Sequence, residues 1–220
     1  MINVRLHFSK IFNTRYISHL DLMRTITRAV KQSGVSAWFT EGYNTHLYLT
    51  FSLPLSLGFE SICETCDIRI LDDEFDQSVA QKINAYLPWG IEIFNCNIAK
   101  YKTGDIGFAR YLIEFDDIEL SGELIEHKIR ELIESSEITA LKKTKKGTMR
   151  TIDLKPMIHS AETKLENKKC YLDMVVCAEN DNSCNPMLLL NLLFESLGRE
   201  PDHYLVKRTQ ILTKEMMNFE

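Results

Sequence analysis

No Gly-rich phosphate loop, HExxH helix or GxSxG elbow occurs in this 220-residue chain. P-loop phosphate binding, zincin hydrolysis and α/β-hydrolase chemistry therefore have no signature in it. The CxxxCxxC run of a radical-forming iron–sulfur cluster is missing as well. Apolar runs such as Met187–Leu190 are far too short to span a bilayer. Met1 to Phe8 alternates like a strand and lacks the charged-then-apolar form of a signal peptide, so a cytoplasmic location is the default expectation. A basic field is lacking too: net charge is −5, which leaves the protein as a whole without a nucleic-acid footprint. The six cysteines, at 63, 66, 96, 170, 177 and 184, are scattered and read as reduced thiols. Cys63 and Cys66 form a CxxC, but in a strand-like run with no second ligand pair. No metal and no cofactor is expected.

What is present begins with an ordinary globular composition, 45% hydrophobic and 26% charged. Charge is uneven along the chain. Lys142, Lys143, Lys145, Lys146, Arg150 and Lys155 fall within fourteen residues whose only acid is Asp153, while acids gather at Asp72–Asp76 and Glu114–Glu137. That pattern predicts a basic hairpin on an acidic body.

Periodicity orders the elements. Val4–Lys10 alternates as a strand, and Ser18 N-caps a helix that ends at Gly34, with Asp21 completing a variant capping box. Val35–Thr40, Tyr48–Phe51 and Glu64–Leu71 read as strands, Phe75–Leu87 as a helix and Ile91–Ala99 as a strand. After a linker at 100–107, Ala109–Phe115 is strand-like and Leu124–Ile133 helical. Ile138–Lys145 and Thr148–Leu154 form a hairpin. Cys170–Cys177, the helix Pro186–Leu197 and Tyr204–Leu212 follow. The expectation is an α+β protein of two tandem ferredoxin-like (βαββαβ) halves, each an antiparallel sheet with its helices on one face. The N-terminal half spans 1–100, and the C-terminal half, with an extra hairpin, spans 108–220.

The residues that packing does not explain lie between 15 and 64. On a helical wheel Leu20, Met23, Ile26, Thr27 and Val30 form the stripe toward the sheet. Asp21, Arg24 and Arg28 gather opposite, where a solvated face with a local Asp–Arg pair is the plain account and a phosphate-binding face the functional one. His19 falls on the sheet side of the first turn, where the positive helix end favours a neutral ring. It is either a satisfied structural histidine or a group able to accept a proton or bind a base. Tyr43, Asn44 and His46 sit in a turn that could stack a planar ligand beside Arg15, or could serve as a structural loop. Lys143, Lys145 and Arg150 on the hairpin, and Arg208 on the last strand, could touch phosphate or be simply solvated.

The run Arg15-Tyr-Ile-Ser-His-Leu-Asp-Leu-Met-Arg24, with Arg28, Gly42-Tyr-Asn-x-His46, Pro54-Leu-x-Leu-Gly58, Ser61, Glu64 and Asp67, resembles the radical-SAM-linked protein family, a bacterial family of unknown function. The similarity is strongest over residues 1–71 and continues through Thr151–Pro156, Asn185-Pro186 and Arg208-Thr209. Members are fused to, or encoded beside, a radical-SAM protein, often near ribosomal-protein and ribonuclease genes. The family loop usually reads Gly-Phe-Asn-Pro-His-Pro-Lys. Here Thr45, Leu47 and Tyr48 stand in place of two prolines and a lysine, which removes any role for a lysine at 48. The resemblance implies a radical-SAM partner that carries the radical chemistry. At the level of fold alone, tandem ferredoxin-like halves also resemble CRISPR-repeat endoribonucleases.

Three readings follow. The first is a non-catalytic accessory module that binds RNA (ribosomal or transfer RNA) or another substrate for the radical-SAM partner. The second is a metal-independent RNA-processing or RNA-modifying enzyme with His19 and His46 as acid and base. The third is a protein-interaction subunit without nucleic acid.

Overall fold

The computed structural model describes every residue except 73–77, 118, 144–146, 180 and 181, and of Lys143 the backbone alone. Two compact units emerge, Met1–Asp105 together with Asn218–Glu220, and Ile106–Met217. Residues 218–220 thus belong with the first unit and not, as the sequence suggested, with the second. The fold is mixed α+β, with antiparallel sheet and, among the described residues, four α-helices.

In the first unit β1 (Ile2–Lys10) leads through a 3₁₀ helix (Phe12–Tyr16) into α1 (His19–Gln32). β2 (Leu49–Phe51), β3 (Glu60–Ile70), α2 (Ser78–Asn84) and β4 (Ile91–Ile98) follow, and the strands lie in the order β4-β1-β3-β2, all antiparallel. Strand alternation puts Val4, Leu6 and Phe8 on one face with Cys66, Ile68 and Ile70, and α1 and α2 close that face with Leu22, Ile26, Ala29, Val30, Val79 and Ile83. The helix stripe is therefore rotated from the expected one. Leu20 is 58% exposed, because two residues at ~100° each carry it to the far side from Leu22.

Val35–Thr40 forms no regular strand. Its bonds are split between two partners: Trp38 N–H donates to the Arg69 carbonyl, and the Trp38 carbonyl accepts from Tyr48 N–H, leaving only the bridges Ala37–Ile70 and Phe39–Leu47. The helix expected from Phe75 is described only from Ser78 onward.

On the other face of this sheet Arg5, 1% exposed, grips Asp67 with both arms of its guanidinium, Nε–Oδ1 at 2.8 Å and Nη2–Oδ2 at 3.0 Å. Its third donor reaches the Glu220 main-chain oxygen at 3.0 Å, and the Phe219 ring covers it at 4.4 Å. A buried charge in water-poor surroundings needs hydrogen-bonding partners, and those of Arg5 tie Phe219 and Glu220 to the first strand.

The second unit runs β5 (Ile106–Phe115), α3 (Gly122–Glu134), β6 (Thr139–Lys143), β7 (Met149–Asp153), β8 (Ile158–Glu166), β9 (Lys169–Cys177), α4 (Pro186–Leu197) and β10 (Tyr204–Thr213). Its sheet order is β10-β5-β9-β8, while β6 and β7 form a separate two-stranded ribbon. The expected hairpin exists but is not in that sheet, and β8, which the sequence did not suggest, takes the place beside β9. β8 reads Ile-His-Ser-Ala-Glu-Thr-Lys-Leu-Glu and is mostly exposed, so no apolar alternation marks it. Its register comes instead from a two-residue turn, Asn167 and Lys168, both at positive φ (51° and 67°), of the kind that matches strand twist.

The loop after β5 is tied down by one carboxylate. Asp117 accepts from Glu119 N–H and Leu120 N–H (2.8 Å each), Asp202 N–H (2.6 Å) and the Arg199 guanidinium (2.6 Å). Burial works to raise its pKa, but the three N–H donors and the Arg199 charge outweigh burial and hold it below the ordinary aspartate value.

Two expectations follow. Asp67→Ala strands the Arg5 charge and should cost about 3 kcal/mol or more in urea unfolding, the range for breaking a buried pair. Asp117, with a depressed folded pKa, contributes stability above the unfolded value near 3.8 that is lost as pH falls through the folded pKa. Asp117→Asn should thus lower stability at pH 7 and leave a flatter stability profile below pH 4 than the wild type.

Candidate functional site

The N-terminal end of α1 is built by its cap. Ser18 Oγ accepts from Asp21 N–H (3.2 Å) and donates to Asp21 Oδ2 (2.7 Å), while Arg24 Nη1 donates to Asp21 Oδ1 at 3.0 Å. Asp21 is thus committed to the helix end: the Ser18 hydroxyl, then Arg24, lower its pKa. The Arg24 pair is exposed and weak, free to exchange for another anion. One turn on, Arg28 is exposed and has no polar partner among the described residues. His19 is also exposed, not half-buried, with its ring edge-on to Phe51 at 4.8 Å.

Gly42–His46 forms the exposed tip of the connection between the Phe39–Leu47 bridge partners. His46 N–H donates to Thr40 Oγ1 (3.1 Å), and its Nδ1 lies 3.0 Å from that hydroxyl and 3.2 Å from the Asn44 carbonyl. Tyr43 is fully exposed. Below the tip Arg69 is held between Tyr48 (4.4 Å) and Trp38 (5.1 Å) with Nε on Asn3 Oδ1, which stiffens the base of the loop. Lys31, from the last turn of α1, lies over Phe39 at 5.1 Å. The loop therefore meets the C-terminal end of α1, whereas His19 stands at its N-terminal end, about 20 Å away for a helix rising 1.5 Å per residue. The helix and loop residues form two surfaces, and His19 and His46 share no contact.

The turn between β1 and α1 holds what sequence reading missed. Lys10 is buried and donates to the Arg15 carbonyl at 3.1 Å, which also accepts Gly58 N–H at 2.9 Å. Glu60, buried, accepts Phe12 N–H at 2.9 Å, and Thr14 Oγ1 donates to Ile11 O (2.6 Å) with Gly90 O at 3.1 Å. Glu64, Ser61, Thr65 and Ser52 are buried nearby on β3 and the segment paired to it, and the Ser52 and Thr65 hydroxyls have no partner among the described residues. A signal was available: Lys10 and Glu64 continue, by count of two, the parity of Val4-Leu6-Phe8 and Cys66-Ile68-Ile70. Charges at core parity mark a polar interior, and these lie beneath the Arg15 turn.

Arg15 itself is half-buried, with its guanidinium over Tyr16 at 4.9 Å. In the second unit Arg208 is fully buried in β10 opposite Tyr111, so it is not part of any exposed basic surface. Its mid-strand position in β10, paired with β5, encloses it. On the ribbon, Lys142 turns to the Ser183 carbonyl (3.0 Å) and Lys155 to that of Ile133, leaving Arg150 exposed. Lys145 and the Lys143 side chain lie outside the described residues. No three His, Cys, Asp or Glu side chains group as metal ligands among the described residues, and the cysteines are free. Among the described residues, no helix is long and apolar enough to cross a membrane.

Residues 3–186 match a model of an uncharacterized bacterial family. The chain belongs to DUF2344, proteins conserved in bacteria. No curated protein matches it. Among solved structures, a chain of a Cbf5-Nop10-Gar1 complex is similar in fold, at a TM-score of 0.51 and 11% identity, over 94% of this chain. This chain spans 48% of that one, about half its length.

His7, near the Arg5 pair on the same face of β1, is a third histidine. It is buried, with Nε2 3.1 Å from Asn97 Oδ1. Burial, with the Arg5 charge, lowers its pKa below the ordinary histidine value against the opposing pull of Asn97, Glu220 and Asp67, so the fold favours the neutral ring. The unfolded chain then takes up a proton near pH 6.5 more readily than the folded chain, and stability should fall as pH drops from 6.5 toward 5. In His7→Gln that part of the unfolding profile should be flat, which equilibrium denaturation at pH 5 and 7.5 would measure.

Proposed function

We propose that this protein is a non-catalytic accessory module that presents RNA, such as ribosomal or transfer RNA, to a radical-SAM partner in the cytoplasm. The observation that carries the reading is the outer face of α1: Arg24 and Arg28 stand exposed one turn apart on a capped helix, with Arg28 unpartnered among the described residues. Cations on a rigid helix, and not on a mobile tail, suit register on a phosphate backbone. The loop adds an exposed tyrosine ring and an imidazole over a stiffened base, groups suited to an unpaired base. The radical-SAM partner rests on the motif resemblance, and six free thiols suit a reducing compartment.

We read both units as ferredoxin-like. The strand orders β4-β1-β3-β2 and β10-β5-β9-β8, with a helix after the first and the third strand of each sheet, support it. The β6–β7 ribbon is then an insertion between the first helix and second sheet strand of the later unit.

The test is Arg24→Glu with Arg28→Glu. Both sites are solvent-exposed, so circular dichroism should be unchanged. Affinity for ribosomal or transfer RNA should fall, and the slope of log Kd against log salt should shrink by roughly 1.4, the counterions of two single-strand phosphate contacts. RNA binding equal to wild type at every salt concentration would sink the reading.

A further inference from the structure

The first unit carries a second aromatic feature, away from the α1 face and the hairpin loop. Phe12 and Trp89 stack in parallel, ring centroids 4.4 Å apart and planes 3° apart, and both stand in solvent, Trp89 at 73% exposure and Phe12 at 48%. Exposed rings are usually incidental. These are held in place by several devices.

Phe12 adopts φ +58°, a left-handed conformation that L residues with bulky side chains avoid. It is kept there by the buried Glu60 carboxylate on its N–H, and by Ile11 N–H on the Gly90 carbonyl at 2.8 Å. Gly90, next to Trp89, has φ +96° and lies so close to the turn that a Cβ would sit 2.6 Å from Ile11 O. A strained aromatic, a buried acid and a glycine without room for a side chain converge on holding two flat rings outside the core. Burial does not explain the strain, since both rings remain wet. Strain kept by its surroundings is a mark of function.

The stack lines a cleft of about 370 Å³ together with Ile11, Leu87 and Pro88. Asn84, also lining it, spends both side-chain groups on Ile93 and is not available to a ligand. Glu92 at the rim is exposed and has no partner among the described residues, so it can accept from a ring N–H or exocyclic amine. Arg15 lies three residues from Phe12 in the same 3₁₀ turn. A flat open indole face, an adjacent acceptor and a cation on the same turn fit an unpaired base with its phosphate. An apolar protein partner would leave Glu92 and Arg15 without a role.

We propose that the Phe12–Trp89 stack is a platform on which an unpaired RNA base continues the stack over Trp89, with Arg15 on the neighbouring phosphate. The assignment rests on the RNA-binding reading above and adds to it where a base is held.

The chain has two tryptophans, so Trp38→Phe leaves Trp89 as the sole indole reporter. In that background a single-stranded RNA oligonucleotide should quench the emission, and an abasic oligonucleotide of equal length should not. Trp89→Ala should weaken the base-bearing oligonucleotide about fivefold or more, in line with base–aromatic stacking, and leave the abasic one unchanged. Phe12→Gly separates strain from folding: it keeps the N–H to Glu60 and relieves the left-handed φ. Its Tm should equal or exceed wild type while RNA binding weakens. Binding by Trp89→Ala equal to wild type, alongside a weakened Arg24/Arg28 double variant, would overturn the platform and leave the RNA reading standing. Equal weakening of base-bearing and abasic oligonucleotides would also overturn it, as the rings would then read no base. No RNA binding by the wild type would overturn both.

Discussion

A single buried ammonium organises the front of the first unit. Lys10 ends β1 at a position whose parity belongs to the core, and its charge must be met by oxygen. The Arg15 carbonyl meets it, which obliges the chain after β1 to curl back within five residues. The same carbonyl takes Gly58 N–H, so the curl also fixes the segment that enters β3. From that point the 3₁₀ turn, the start of α1 and the aromatic pair all inherit their positions. The polar interior beneath, with Glu60, Ser61 and Glu64, is the price of displaying so much on the outside. Buried polar groups of this kind specify one arrangement more than they add stability.

Much of the framework was legible because its signals are local. Ser18 and Asn185 cap their helices with side-chain oxygen on N–H, and Gly34 and Gly198 leave theirs at positive φ, all readable from residue type. What escaped depends on partners distant in sequence. β8 is polar on both faces and becomes a strand because β9 offers it a ladder. Val35–Thr40 has the right composition for a strand, yet its hydrogen bonds go to two different segments. Leu20 and Leu22 are equally apolar, and only the placement of α1 over the sheet decides which is buried.

The candidate site was legible by residue type and not by arrangement. Arg24, Arg28, Tyr43 and His46 are as exposed as their chemistry suggests, but His19 stands a helix length from the loop that carries His46. Arg208 shows the opposite failure, since a cation flanked by Lys207 and Thr209 gives no hint that β10 encloses it. Phe12 and Trp89 look like ordinary core residues in sequence. Only the left-handed φ of one and the crowded glycine beside the other reveal that the fold holds them outward. The similarity to a chain of the Cbf5-Nop10-Gar1 complex concerns the backbone arrangement alone, at 11% identity, and leaves the site to be argued from its own atoms.

The grip of Arg5 on Glu220 and Phe219 has a consequence for synthesis. A ribosome adds residues in order, and domains generally fold as they emerge. The first unit has its sheet and both helices once residue 105 is out, yet the guanidinium of Arg5 then has Asp67 and no Phe219 lid. All of Ile106–Met217 must be made before the three residues that finish the first unit arrive. The first unit therefore receives Phe219 and Glu220 only after the second unit has been made, and these residues act as a clasp on Arg5.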